Sequence, residues 1–390
     1  MFPPLTPIEK ILMAFIVFIL LCVFLFAWLT SCDTHNPTSS VSMDMTEDTP
    51  LADTLSGTLE PGVYYVTGNV VIPQDSVLVA RDCYFLIENE VDWDVCGLFQ
   101  AYGCRFDVAD LNHRWSGLIF HPDPSGQDEI GNYLQDCHIY RGGYREGKNG
   151  GGISAVQCKL TLRNVTVAFC EAEYGGGIYC QDMEVLRIDG CKIWANGAEQ
   201  NGGGIYLYGC DGATIDSCQI GKNYTMIGQN NQKGGGIFIE RCNGATISRC
   251  VVYDNYAEER GAGVFNFLSP NLSIVNCTIA DNTTNSSGWR GAGLFVYFVQ
   301  SHTTVVNTIL WNNTRWGGQI EDVHGDAYIT YSDVSEGAEG VGNISADPLF
   351  ADQYYHIEFE SPCRDAGDSN SSSDPDSSRA DMGVHYYHQD

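Results

Sequence analysis

Hydrophobic and polar positions alternate with a period of two in short runs, and glycine, asparagine or aspartate breaks each run. In "GGGIYLYGCDGATIDSCQIGKN", Ile205 and Leu207 share one parity while Tyr206 and Tyr208 take the other. That is the pattern of a strand with one face buried. "GCDG" has the composition of a turn. Ile215 and Cys218 then fall on opposite parities, so both point inward only if a corner or bulge lies near Ser217. Cys218 and Ile220 agree again, and Asn223 closes the segment. No helical period intervenes, so the unit reads as about three short strands separated by turns.

The unit recurs. GGGI opens at Gly150, Gly175, Gly202 and Gly234, followed by GAGV at Gly261, GAGL at Gly291 and GGQI at Gly317, with starts 25, 27, 32, 27, 30 and 26 residues apart. Stacking the units gives an aliphatic column of Ile153, Ile178, Ile205, Ile237, Val264 and Leu294. A second column holds Cys191, Cys218, Cys250 and Cys277, with Cys137 and Val165 before them and Thr308 after. A third holds Asn196, Asn223, Asn255, Asn282 and Asn313. Asparagine tolerates left-handed backbone at tight turns, and stacked amides bond along an axis. Repeats of this length that stack on their own copies predict an all-β solenoid, a parallel β-helix. In it the glycine triplet supplies positive φ and close stacking. A phosphate-cradling loop would occur once, ahead of a helix, and is set aside.

Residues 1–31 are a targeting segment. Lys10 precedes an unbroken apolar run from Ile11 to Leu29, and the run ends in "LTSC". These last residues resemble the lipobox of bacterial lipoproteins, which would leave Cys32 as a lipidated first residue. The alternative is an uncleaved signal anchor, since about 20 apolar residues span a bilayer. Either places the remainder outside the cytoplasm. Residues 32–54 are polar and acidic and read as a flexible tether.

GGGIY, "NCTIADN" (276–282), "NTILWNN" (307–313) and a closing signature of "ISADPLF", "SPCRDAGD" and "DPDSSRADMG" carry a resemblance. The chain resembles the right-handed parallel β-helix repeat proteins of bacterial surfaces, including those with polymorphic outer-membrane-type repeats. "LSGTLEPGVYYVTGNVVIPQDSVLVA" is similar to their first coils. The resemblance implies a right-handed β-helix over 55–349 with irregular loops around 91–149, and a cap and tail over 350–390. It implies a surface or secreted location without choosing a function, and some relatives of the fold are polysaccharide lyases, hydrolases or epimerases. After the closing signature no sorting domain is read, so Cys32 would be the anchor in the cell envelope.

Charge narrows the partners. With 49 acidic and 20 basic residues the formal net charge is −29, which argues against nucleic acid and suits cations or neutral and basic partners; polysaccharide is the candidate ligand, and the membrane partner would come through the N-terminal lipid or anchor. Tyr179, Tyr206, Phe238, Phe265 and Phe295 stand in successive coils on the parity opposite to the aliphatic column. Gln181, Tyr208, Glu240, Phe267 and Tyr297 share that parity, so the face reads as outward. The rings either stiffen the sheet or form a flat strip on which sugars stack. For catalysis the best carboxylate pair is Asp254 with Asp281, one coil apart and near the roughly 5 Å of a retaining glycosidase pair. Both also sit where turns favour aspartate. Asp365, Asp368, Asp374, Asp376 and Asp381 are the candidate Ca²⁺ ligands. The stacked cysteines should be inward-facing thiols, because Cβ atoms about 4.8 Å apart suit a ladder better than a disulfide. The function that fits is a lipid-anchored, non-catalytic protein for carbohydrate binding, adhesion or envelope structure. A polysaccharide lyase or glycoside hydrolase is the alternative.

Overall fold

Each alternation in the sequence becomes a strand paired with the same alternation one repeat away. The computed structural model describes residues 49–122, 131–143, 147–226, 232–285, 291–298 and 302–387, and among them there is no helix. The apolar run and Cys32 lie outside the described residues. One coil consists of Ile178–Gln181, Val185–Asp189, Lys192–Trp194 and the two-residue Gly197–Ala198. So the coil has three strands, as read, and a very short fourth. Strand ladders among the described residues are parallel, save one hairpin of Thr314–Arg315 with Gln319–Ile320. Ile178, Ile205, Ile237, Val264 and Leu294 pair in register. All five are fully buried.

The corner anticipated near Ser217 is a left-handed residue repeated in every coil. Gly190, Ser217, Arg249, Asn276 and Asn307 have φ of 63°, 54°, 50°, 51° and 51°. The next residue is a cysteine in the first four and Thr308 in the fifth, and the cysteine sulfur has two tasks. Cys250 Sγ accepts the N–H of Cys218 at 3.4 Å and donates to the carbonyl of Ser248 at 3.1 Å. The same pattern links Cys191 to Cys218 and Cys250 to Cys277. Thr308 Oγ1 then takes the N–H of Cys277, and Ser332 Oγ that of Thr308. All described cysteines are free thiols.

The asparagines form a buried amide ladder. Nδ2 of Asn196, Asn223, Asn255 and Asn282 each donates to Oδ1 of the next asparagine, at 3.0, 3.0, 2.9 and 2.8 Å. Asn313 donates to Oδ1 of the buried Asp322 at 2.7 Å. Each amide also donates to a main-chain carbonyl, as Asn255 does to Ile220.

Within the interval 91–149, Trp93–Val95 through His138–Tyr140 are in-register strands of the β-helix, and residues 123–130 and 144–146 lie outside the described residues. Two points differ from the sequence reading. Thr49–Thr54, assigned to the tether, is a strand paired with residues 64–71. The GGQI at Gly317 is the tip of the antiparallel hairpin, and the coil resumes at Val323, which pairs with Leu294. Residues 350–387 do more than close the end, since they run back over the outside of earlier coils. Tyr355 packs with Val251 and Ala280, and Met382 with Ile309. Val384 N–H reaches Thr278 Oγ1 at 3.2 Å.

Candidate functional site

The aromatic column lies outside the core, as parity required, but it is not a strip open to solvent. Tyr179, Tyr206, Phe238, Phe265 and Phe295 form their own cluster and are 0–8% exposed. Parallel in-register pairing sets the rings face to face. Tyr206, Phe238, Phe265 and Phe295 follow one another at 4.9–5.0 Å with interplanar angles of 2–3°. Between neighbouring coils the ring faces cover one another, and the glycine turn of the same coil lies against the ring, as at Gly261, where an added Cβ would stand 2.9 Å from Phe265 Cδ2. Tyr174 closes over Tyr206 at 5.4 Å, and the Arg260 guanidinium stands 5.5 Å from the Phe295 ring centre. A sugar stacked on these five rings is therefore excluded along the ladder, because the faces it needs are already occupied.

At its last rung the ladder passes from phenylalanine to histidine. The position after Phe295 holds His324, in register one coil on, with its ring 4.8 Å from Phe295 and its side chain 41% exposed. Here a cleft of about 270 Å³ is lined by Arg260, Phe295, Val296, Tyr297, His324, Gly325 and Asp326. Tyr297 is half exposed and leans on Phe267 at 5.0 Å. Ion pairs fix the wall. Glu259 lies 3.5 Å from Arg260 and 3.7 Å from Lys233, and Glu321 lies 3.1 Å from Arg315 and 3.8 Å from His324. Burial holds the Lys233 ammonium below its ordinary range, with Glu259 pulling the other way. The hairpin that carries the exposed Trp316 adjoins this wall through Arg315. Ring, imidazole and guanidinium around a small, mostly apolar cleft suit the face of a sugar ring or a comparable polyol. The sequence reading named Tyr297 as an outward residue but missed His324 and Arg260. His324 breaks the aromatic pattern, and Arg260 lies in a loop without period.

The carboxylate pair lies elsewhere. Asp254 and Asp281 occupy a left-handed column with φ of 51° and 58°, just ahead of the asparagines. The tail covers them. Tyr355 Oη donates to Asp281 at 2.8 Å, and Asn312 Nδ2 donates to its other oxygen at 2.5 Å. Burial, then Asp281, raises the Asp254 carboxyl above the usual carboxylate range. Both oxygens of Asp281 are committed, so the pair holds the tail rather than facing an open cleft.

The tail carboxylates bind backbone. Asp374 Oδ2 accepts the N–H of Asp381, Asp381 accepts those of Asp365 and Tyr387, and Asp368 and Asp376 close local turns on Asn370 and Ser378. Among the described residues no group of three or more His, Cys, Asp or Glu side chains is placed to hold a metal ion.

Comparison with known proteins agrees with this architecture. A crystal structure of pectate lyase Pel9A superposes with a TM-score of 0.53 at 12% identity, covering 85% of this chain and 87% of that one. A crystal structure of the periplasmic alginate epimerase AlgG gives 0.42 at 12% identity over 71% and 72%. At such identity the likeness to the lyase speaks for the fold alone. No curated protein matches the chain in sequence. The family described as the right handed beta helix region matches residues 123–256 and 176–348, together more than half of the 390 residues. With parallel coils, stacked columns and a family match of that extent, the chain belongs to the right-handed β-helix family.

Proposed function

We propose that the protein is a non-catalytic, glycan-binding β-helix displayed outside a bacterial cell, with a sugar ring seated between Tyr297 and His324 beside Arg260. One observation carries this reading. An outer-face aromatic ladder that is closed along five coils opens at its last rung into a cleft with an exposed ring, an imidazole and a guanidinium. A net charge of −29 does not oppose neutral polysaccharide. Calorimetric titration of purified protein with a panel of neutral and uronic-acid oligosaccharides tests it. Tyr297→Ala or His324→Ala should weaken the best ligand roughly tenfold, or about 1.4 kcal/mol, with an unchanged circular dichroism spectrum. Equal affinity in both variants removes the cleft from the binding site.

A second reading is polysaccharide cleavage, with Lys233, which bridges to Arg260 and lies 3.7 Å from Glu259 outside the cleft lining, as the basic group to test. Incubation with the same panel distinguishes the two. New chain ends that Lys233→Ala abolishes would make the cleft an active site. The anchor belongs to the same proposal, with Cys32 lipidated. Cys32→Ala should abolish labelling by radioactive palmitate, and unchanged labelling would favour a signal anchor.

A further inference from the structure

The tail that runs back over the earlier coils has two arms, and the arms meet at a pair of histidines. The first arm closes on itself, with Phe350 bridged to Ile357 and Ala351 N–H bonded to the carbonyl of His356 at 2.7 Å. It sets the buried Tyr355 against Val251 and Ala280. The second arm is tied down at Gly383, whose N–H bonds the Asn307 carbonyl at 2.8 Å, and at Val384 on Thr278. Val384 packs into the same apolar group as Tyr355. At the seam between the arms, the His356 and His385 rings stack 4.0 Å apart at an angle of 25°. Asp352 Oδ2 lies 2.8 Å from His356 Nδ1. Neutral imidazoles stack as other flat rings do, whereas two imidazolium ions at this distance repel. The one carboxylate beside them offsets only one of those charges.

We propose that residues 350–387 are an acid-released cover, with His356 and His385 as the clasp between its two arms. Above the usual histidine range the rings are neutral and the arms stay joined. On acidification both rings take up a proton, the stack breaks and the arms part. They uncover the apolar outer face at Val251 and Ala280 and, once Tyr355 leaves Asp281, the Asp254–Asp281 pair. Burial, then His356, holds the His385 imidazole below its ordinary range, while the Tyr354 backbone and Asp352 pull the other way. An undocked tail therefore binds protons that the docked tail resists. The docked form has its full advantage above the ordinary value of 6.5 and loses it as pH falls below that value. The other charged and titratable groups around the seam are Asp381 and Arg364 at Tyr387, and Asp254 and Asp281 beneath Tyr355.

Hydrogen exchange read by mass spectrometry on the intact protein, at about pH 7.5 and about pH 5 and corrected for intrinsic exchange rates, tests the clasp. Peptides spanning 351–357 and 381–387 should exchange about fivefold faster or more in acid, since unit charges about 4 Å apart favour separation by that ratio even in water. Coil strands such as Ile205–Tyr208 should keep their protection. His385→Phe leaves a ring in the stack that cannot charge, and should abolish the acid effect. His356→Gln leaves a single imidazole beside Asp352, and should abolish it too. Equal tail exchange at both pH values overturns the clasp. An acid response that survives in both variants overturns it as well, and assigns release to the carboxylates under Tyr355. Faster exchange spread evenly over the coils is global unfolding, and overturns the cover as a separate unit.

Discussion

At the scale of single residues, the cysteine column shows why an apolar reading of a side chain is incomplete. Parity alone placed Cys191, Cys218, Cys250 and Cys277 inside, and they are inside. What parity could not show is that the corner strands a backbone N–H in every coil and needs a small acceptor beside it. Thr308 and Ser332 continue the column because a hydroxyl meets the same need. Cys250→Ser should therefore be tolerated better than Cys250→Val, although valine is the closer apolar match. Valine leaves the buried N–H of Cys218 unpaired, at a cost of about 1–3 kcal/mol. Urea denaturation of both variants checks the order. The aromatic column teaches the converse, since its outward parity was legible but its burial was not. Exposure depends on which turn folds over a ring, and that is set by the path of a neighbouring loop.

At the scale of one element, the glycine triplet divides into distinct tasks. Gly202 has φ of 71°, whereas a Cβ on Gly203 would meet the Tyr224 carbonyl oxygen at 2.4 Å and one on Gly204 the Asn223 amide nitrogen at 2.9 Å. The turn must pass between the short fourth strand and the amide ladder, and there is no room for a side chain. Gly203→Ala should destabilise by about 3 kcal/mol or more through overpacking. Gly212→Ala, with φ of 65° but open space around it, should lose only about 1–2 kcal/mol to strain. Thermal melts of the two variants test this ranking, and equal losses would mean that backbone strain alone explains the triplet. At Gly317 the same composition forms a hairpin, because no amide ladder rung waits beneath it and Asp322 has ended the column.

At the scale of the whole molecule, the tail and the last coil are joined by buried acids. Asp333 is fully buried, accepts Cys363 Sγ at 3.2 Å and Ala346 N–H at 3.1 Å, and burial pushes its carboxyl up to about 6. Between its ordinary value of 3.8 and about 6 the folded chain holds a proton that the unfolded chain has lost. The stability from this group is therefore fully present below 3.8 and is lost as pH rises through about 6, with a slope of up to about 1.4 kcal/mol per pH unit. Asp333→Asn keeps the group neutral, so this variant should be more stable than wild type at pH 7 and show a flatter dependence below it. Melting curves from pH 4 to 7.5 would show it, and an unchanged slope would shift the effect to Asp374, also pushed up to about 6 by burial.

The repeat, the strands, the inward columns and the amide ladder were determined by the sequence alone, because each follows from local alternation multiplied by a fixed period. Parallel stacking then brings like onto like, and no long-range information is needed to know what a residue touches along the axis. The tertiary structure decided everything that runs across coils rather than along them. It closed the aromatic ladder with turns, opened it at His324, and laid Tyr355 over Asp281. These contacts join segments whose separation in sequence is set by loops without period, and pattern alone cannot measure where such loops lead.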